Sequence, residues 1–464
     1  MRLLRPSSLP FACAAALGLA MFGGCSDGAT EDDSDLRAGE RKIVGEAVAY
    51  PADTTLAPRV SELAKSQKAR REAAWKAVAK ILKPISVREK TAKNDGKVVK
   101  LPLFRTWYGK DDMDRVFAKA YGDLTPADRK AGRPLTADEL KKAYTWNVTS
   151  AASWSDADYI ARVKQITDAQ AAQGLGGNTR VSYSPGFASH LLANYAPVTR
   201  CMPKLDTFGL DAKPASATNF APCFAAEFPA DAALIKASWW RSDFGMKLPR
   251  HTTSAASLKA RLAGTLDQGG WGAGEGDELA PGVNDIYTVT LSDGANFRMA
   301  GLHLVTKELR DWMWITLFWS DDPDTDFGAD RPAAIKALGA PWDHYKMEVI
   351  VAYDEQDPDP RGGYTGTLGD ALAAVHPGVG GPSWGSNPYI ERGPKNAQTN
   401  CIGCHQHSHN QAFSSESILA DEAKFPKAGR TKLRQVFPAD YSWSVFHGPE
   451  LLAGVLDARV RAYP

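Results

Sequence analysis

The most restrictive part of this sequence is an eight-residue run, Trp312-Met313-Trp314-Ile315-Thr316-Leu317-Phe318-Trp319. Successive side chains of a strand point to opposite faces of the sheet, and here both sets are apolar or aromatic apart from Thr316. The run therefore predicts an interior β-strand with both faces covered by other parts of the chain.

The chain around this run divides into regions that differ in residue composition. Further segments rich in β-branched and aromatic residues predict strands at Ala233–Trp240, Ile286–Leu291, Phe297–Thr306 and Tyr345–Tyr353. Helix-forming patterns upstream predict helices at Val60–Leu82, Asp111–Tyr121, Thr136–Tyr144 and Ser155–Ala172. We therefore expect an α+β fold with a mainly helical N-terminal part (43–224), an antiparallel β-rich middle (225–360) and an irregular C-terminal segment (361–464).

The charge balance excludes one class of partner. The 464 residues include 55 Lys plus Arg and 54 Asp plus Glu, which gives a formal net charge of +1. A strongly basic nucleic-acid-binding protein is excluded by this balance.

The N-terminus has the layout of an export signal. Arg2 and Arg5 precede an apolar stretch, Leu9 to Phe22, which is too short for a membrane span of roughly 20 residues. The stretch ends in Gly23-Gly24-Cys25, which resembles a bacterial lipoprotein signal with Cys25 as the lipidated residue. An ordinary signal with an incidental cysteine is the alternative. Residues 1–24 are then the signal peptide, and the polar, acidic residues 25–42 are a flexible tether.

The predicted export determines the redox environment of the remaining cysteines, because exported chains reach an oxidising compartment. Two of them lie in Cys401-Ile402-Gly403-Cys404-His405. This C-x-x-C-H run is the attachment signature of c-type haem: the two thiols form thioethers and the histidine binds the iron. A zinc site that adds His407 and His409, a thioredoxin-like motif and a plain disulfide remain as alternatives.

With its export signal, this motif resembles those of bacterial exported c-type cytochromes that have a single C-x-x-C-H motif. The resemblance implies one covalent haem c, held by Cys401 and Cys404 with His405 as iron ligand. It covers only the motif and the signal, a small part of the chain.

The sixth iron ligand departs from the family pattern, since no methionine follows His405 and the last one is Met347. His303 is our candidate. Strand alternation predicts that its side chain shares one apolar face with Phe297, Met299 and Val305. A hydrogen-bonded core histidine, ligation by His376 or His447, and an open position are the alternatives.

Two cysteines remain after these assignments. Cys201 and Cys223 bracket a 21-residue loop, and we predict a disulfide between them. Two separate buried thiols are the alternative.

Two acidic runs and a glycine-rich segment complete the list of candidates. Asp321–Asp326 and Asp354–Asp359 have carboxylates at alternate positions, which is typical of solvated turns and also of calcium loops. Gly269–Gly276 lacks the lysine of a phosphate-binding loop, and we interpret it as a flexible loop.

Together these features predict a lipid-anchored electron-transfer protein of the bacterial cell envelope. It would face the periplasm. The resemblance to bacterial lipoproteins implies the outer membrane rather than the inner one, because by enterobacterial sorting rules Ser, here Ser26, after the lipidated cysteine permits outer-membrane delivery. Its partners would be the membrane, through the anchor, and a periplasmic or membrane redox protein. The alternatives are a haem-dependent oxidoreductase or peroxidase with an open sixth position, and a ligand-binding or sensing lipoprotein in which the haem is accessory.

Overall fold

The structure is a computed structural model of the 464-residue chain. It describes residues 41–91, 97–144, 146–147, 178–201, 226–242, 245, 247–272, 274–290, 296–351, 377–378, 381–382, 385–394, 396, 401, 405, 440, 442 and 452–463.

The described strands are numbered in chain order. They are β1 (Arg41–Gly45), β2 (Pro84–Thr91), β3 (Lys97–Pro102), β4 (Trp146–Asn147), β5 (Asn178–Tyr183), β6 (Ala233–Arg241), β7 (Thr288–Thr290), β8 (Asn296–Thr306), β9 (Met313–Trp319), β10 (Tyr345–Val351), β11 (Pro377–Gly378) and β12 (Gly381–Pro382).

The described α-helices follow the same scheme. They are α1 (Val60–Lys65), α2 (Gln67–Leu82), α3 (Lys110–Gly122), α4 (Pro126–Ala131), α5 (Ala137–Ala143), α6 (Pro185–Ala193), α7 (Tyr195–Cys201), α8 (Ala255–Leu262), α9 (Ala333–Lys336) and α10 (Leu452–Ala462).

The centre of the fold is an antiparallel sheet with the order β10-β9-β8-β6-β5, and β7 pairs with one end of β8. All seven residues of the predicted apolar strand, β9, are buried, and both neighbours of β9 are strands. A smaller sheet has the order β3-β2-β1-β4. Helices and antiparallel sheets together confirm the predicted α+β class.

Two buried clusters cover the faces of the main sheet. The first joins α2, through Trp75, Val78 and Ile81, to the side chains of Ile315 and Met347. The second joins α3, α5, α6, α7 and α10 to Val305, Trp314 and Ile350. The apolar strand is therefore covered on both sides because it has no polar face to present to water.

The N-terminal helices agree with the sequence pattern in position but differ in detail. The predicted helix Val60–Leu82 is two helices, because Ser66 leaves the helical conformation and its side chain caps α2 by accepting a hydrogen bond from the Ala69 amide. Thr125 and Thr136 cap α4 and α5 in the same way. The region predicted as mainly helical also supplies β2, β3 and β4 of the smaller sheet and β5, one edge strand of the main sheet. The predicted helix at 155–172 lies outside the described residues.

A β-bulge in β8 corrects the predicted neighbours of His303. Trp239 pairs with Met299 while Ser238 pairs with Gly301, so Ala300 is an extra residue in β8. One inserted residue exchanges the two faces of a strand, and Phe297 and Met299 therefore point away from the face that holds His303 and Val305. The expectation that all four share one face is wrong for this reason.

A buried carboxylate ties the N-terminal segment to the main sheet. Glu308, just after β8, is fully buried and accepts hydrogen bonds from the Tyr50 hydroxyl at 2.9 Å and the Asp53 amide at 2.6 Å. Thr306 Oγ1 and Lys80 Nζ also donate to it, each at 2.9 Å. Burial and the charge of Glu308 raise the pKa of Tyr50 far above its usual range, so Tyr50 remains a donor.

No helix in the described part of the chain combines the length and apolar character that a membrane span requires.

We expect Glu308→Gln to lower the free energy of unfolding by about 3 kcal/mol, because four donors lose a charged, buried acceptor. Urea denaturation followed by tryptophan fluorescence measures this. Glu72→Gln is the control, since its partner Lys68 lies in solvent, and it should change stability little. Equal unfolding midpoints for the two variants would contradict the role of Glu308.

Candidate functional site

The described residues of the Cys-x-x-Cys-His motif are Cys401 and His405. Both have helical backbone conformation, and both side chains are partly buried. Ile402, Gly403 and Cys404 lie outside the described residues.

Both residues lie beside one cross-strand pair of the main sheet, Trp314 of β9 and Ile350 of β10. The His405 ring is 4.6 Å from the Trp314 ring, centroid to centroid. The Cys401 thiol donates to the Gly385 carbonyl at 3.1 Å. A Cβ on Gly385 would lie 2.7 Å from Ile350 Cγ1, so a glycine is needed for this segment to approach β10.

Strand pairing places two rows of side chains next to each other on this face. The apolar row consists of Val305, Trp314 and Ile350. The adjacent polar row consists of Lys236, His303, Thr316 and Glu348. Two residues along a strand separate the rows, a spacing of roughly 7 Å. The motif therefore lies one row away from polar side chains, of which His303, Thr316 and Glu348 are buried.

Residues 385–394, the covering segment, pack over the polar row. Asn387 Nδ2 donates to Thr316 Oγ1 at 2.7 Å and to the Leu317 carbonyl at 2.8 Å, and its Oδ1 accepts from the Tyr389 amide at 2.9 Å. Asn387 is completely buried, and these bonds replace the water that it loses. The covering segment is thereby fixed to the sheet.

Gly301 makes this approach possible. A Cβ at Gly301 would lie 2.6 Å from Asn387 Oδ1 and 2.9 Å from Nδ2. These distances are shorter than van der Waals contact, so a side chain at position 301 excludes Asn387 from its place.

His303 is held by a carboxylate of the covering segment. Its Nε2 bonds to Glu391 Oε1, and the other oxygen of Glu391 accepts from the Asn387 amide. Burial raises the pKa of Glu391, but the facing His303, with Lys236 and the Asn387 amide, outweighs it and keeps that pKa below its usual value. Because an ionised carboxylate only accepts hydrogen bonds, the proton is on Nε2.

The other ring nitrogen of His303 has no hydrogen-bond partner, although the residue is only 8% exposed. The ring is therefore oriented through Nε2, and Nδ1 is its available atom. Sequence reasoning identified His303 but missed Glu391 and Asn387. These two lie in a stretch without periodicity, and only their spacing of four residues hinted at a local turn.

The first acidic run is neutralised by side chains of the protein. Arg250 pairs with Asp321 at 2.7 Å, Arg331 with Asp324 at 2.7 Å, and Lys346 Nζ lies 3.5 Å from Asp326. Lys346 Nζ also donates to Thr325 and Thr253. These contacts favour the interpretation as a turn over a calcium loop. The second run, 354–359, lies outside the described residues.

Several candidates cannot be compared with the structure. Cys201 ends α7, but Cys223 lies outside the described residues, so the disulfide stays a prediction. The same holds for Cys25, Cys404, His376, His407, His409 and His447. Within the described ranges, no three His, Cys, Asp or Glu side chains converge as metal ligands would.

The site fits a covalently attached planar group in its donor chemistry. The Cys401 thiol and the His405 imidazole both lie beside the apolar row, and an unpartnered buried nitrogen, Nδ1 of His303, lies on the neighbouring row. No model of a known protein family, no curated protein and no solved structure matches this chain.

We expect Gly301→Ala to lower the free energy of unfolding by about 1–3 kcal/mol, because it displaces Asn387. In the double variant with Asn387→Ala the collision is absent, so the two losses should not add. Urea denaturation measures both. Gly109→Ala is the control, since its new Cβ would lie 3.6 Å from Asp112, an ordinary contact. Full additivity of the two changes would contradict the predicted collision.

Proposed function

We propose that this protein is an exported, lipid-anchored c-type cytochrome that transfers electrons at the cell envelope. One haem c would be attached through Cys401 and Cys404, with His405 as iron ligand. The observation that supports this most is the motif itself in a chain with an export signal. The partly buried Cys401 and His405, which lie beside the apolar row, are compatible with it.

The chemistry divides between the group and the chain. A bound haem would supply a one-electron couple. Cys401 and Cys404 would hold the group, and His405 would bind its iron. The apolar row, Val305, Trp314 and Ile350, would exclude water from the site, and burial of this kind tunes the reduction potential.

The anchor would determine where electrons are exchanged. Cys25 would carry the lipid, and residues 25–42 would connect it to the folded body, which begins in the structure at β1. The partners would then be the membrane and a periplasmic or membrane redox protein. A Cys201–Cys223 disulfide belongs to the same oxidising compartment.

Covalent attachment is the first test. When the protein is exported together with haem-maturation machinery, we expect one haem per chain in the pyridine haemochrome spectrum. Haem should also remain on the denatured protein. Replacing Cys401 and Cys404 together by alanine should abolish this retention, because no thioether can form. Cys201→Ala is the matched control and should retain the haem. A wild-type chain without any haemochrome band would refute the proposal.

A second candidate function is a haem-dependent oxidoreductase or peroxidase with an open sixth position. One observation favours it: Nε2 of His303 is engaged by Glu391, so the proposed sixth ligand has only Nδ1 free. The polar row next to the motif, Lys236, His303, Thr316 and Glu348, would also suit a reacting small molecule better than a purely apolar surface would.

Spectroscopy separates the two functions. For electron transfer with His303 as sixth ligand, we expect a low-spin ferric spectrum that cyanide does not alter at once, and His303→Ala should make it high-spin. Glu391→Gln is the matched comparison, since it keeps His303 and should keep the low-spin form. A wild-type high-spin spectrum that shifts with cyanide and is the same in His303→Ala would instead establish the open-position enzyme.

A further inference from the structure

One stretch of the sequence is strongly basic, although the chain as a whole is nearly neutral. Residues 83–100 contain six Lys or Arg and two Asp or Glu, so acidic residues outnumber basic ones in the rest of the chain. This stretch supplies β2 and β3, which pair with each other in the smaller sheet. The smaller sheet therefore has a local excess of positive charge.

The two faces of the β2–β3 pair differ in chemistry, because successive side chains of a strand alternate between faces. The apolar face packs on the second buried cluster and consists of Ile85, Val87, Val99 and Leu101. The opposite face, which we call the basic face, consists of Ser86, Arg88, Val98 and Lys100. All four residues of the basic face are exposed to solvent.

The cations of the basic face are not neutralised by described carboxylates. Neither Arg88 nor Lys100 forms an ion pair with a described residue. Exposed arginines elsewhere on the described surface do form such pairs, for example Arg59 with Glu62. The basic face is therefore able to offer its charges to a partner outside the chain.

An exposed apolar side chain lies between these cations. Val98 is 60% exposed, lies opposite Arg88 on the neighbouring strand and precedes Lys100 by two residues. Surfaces that bind the interface of a membrane combine cations for the headgroups with apolar side chains for the boundary below them. The basic face has both on one side of a sheet whose other side is packed on the protein.

The proposed lipid anchor joins the folded body at this sheet. The first strand, β1, pairs with β2, and Arg41 at the start of β1 lies opposite Thr91 at the end of β2. Sixteen residues separate Cys25 from Arg41. A flexible chain of this length has an r.m.s. end-to-end distance of about 22 Å. The smaller sheet is thus the part of the body that the anchor would hold near the bilayer.

The tether by itself allows contact with the membrane without requiring it. Attraction between exposed charges and a charged membrane falls off within a Debye length, about 8 Å at physiological ionic strength. The reach of the tether is longer than this, so the chemistry of the nearest protein surface decides whether contact occurs. Each Lys or Arg close to an anionic membrane strengthens binding by about fivefold.

We propose that the basic face of the smaller sheet binds the anionic phospholipid headgroups of the membrane that holds the lipid anchor. Arg88 and Lys100 bind the headgroup phosphates, and Val98 contacts the boundary between headgroups and acyl chains. Contact of this kind would orient the folded body on the membrane. The location of the contact rests on the proposed anchor, and the contact itself is independent of haem attachment.

Sedimentation with lipid vesicles tests this on the full exported chain with Cys25→Ser, which cannot be lipidated, produced with an ordinary cleavable signal. We expect binding to vesicles of phosphatidylcholine and phosphatidylglycerol in equal parts, and much weaker binding to phosphatidylcholine alone. Binding should decrease as salt is added, because salt shortens the range of the attraction.

Variants of the basic face provide the decisive comparison. Arg88→Gln combined with Lys100→Gln should weaken binding to the anionic vesicles by roughly 25-fold, since each lost charge contributes about fivefold. The matched control is Lys130→Gln combined with Lys336→Gln, which removes two exposed lysines from α4 and α9. It has the same net charge and should bind like the parent chain. The single variants serve as a second test if the double variant does not fold.

Two results would overturn the proposal. Equal binding to vesicles with and without phosphatidylglycerol would exclude the headgroups and leave an acidic protein as the partner of the basic face. Equal losses in the two double variants would assign binding to net charge instead of this face. Lipidation is tested separately by the mass of the N-terminal peptide of the wild-type chain. A peptide without acyl groups would refute the proposed anchor and leave the vesicle result unchanged.

Discussion

The pairing of β8, β9 and β10 is the interaction on which the rest of this structure depends. These strands are buried, so their backbone N–H and C=O groups depend on partners within the protein. The ladders with neighbouring strands supply most of them, and at the outer edge of β10 the side chains of Arg71 and Arg331 donate to the Met347 and Tyr345 carbonyls. The ladder between β9 and β10 runs without interruption from Met313–Val351 to Trp319–Tyr345. Once this register is set, every side chain of the three strands is assigned to one of two interiors, and helices from distant parts of the chain must cover both.

Burial on both faces makes polar side chains in these strands expensive unless they have partners. The structure solves this on one face by bringing in the covering segment, whose Asn387 and Glu391 bond to Thr316 and His303. The same segment precedes the Cys-x-x-Cys-His motif. A side chain at position 385 would meet both Ile350 and Cys401, so Gly385 allows the segment to lie close to them. One packing arrangement therefore has two results. It gives the polar row hydrogen-bond partners, and it places the motif beside the apolar row.

The covering segment also connects the polar row to the surroundings of His251. Tyr389 bonds through its amide to Asn387 on the sheet side and through its hydroxyl to Pro249, near His251. Ser238 of β6 donates to the Tyr389 carbonyl at 3.1 Å, which fixes the segment a third time.

Local patterns predicted local structure well. The predicted helix Thr136–Tyr144 corresponds to α5, because its start depends on a cap that acts within three residues, from Thr136 to the Glu139 amide. The strands β6, β8, β9 and β10 followed from β-branched and aromatic runs. The face of His303 did not, because one bulge residue, Ala300, exchanges the two sides of β8, and nothing in the alternation of the sequence marks that insertion. The acidic run 321–326 was equally ambiguous, since its cations, Arg250, Arg331 and Lys346, come from elsewhere in the chain.

The sequence by itself determined the apolar interior strand, the α+β class and the chemistry that the Cys-x-x-Cys-His motif and the export signal point to. Each of these depends on residue types at fixed short spacings, which are complete before the chain folds. Only the tertiary structure decided which face His303 occupies, that Glu391 takes its Nε2, and that His251 is buried without a hydrogen-bond partner for its ring nitrogens. Those facts depend on contacts between residues up to 140 positions apart, such as Tyr389 with Pro249, and on a strand register that no local pattern encodes.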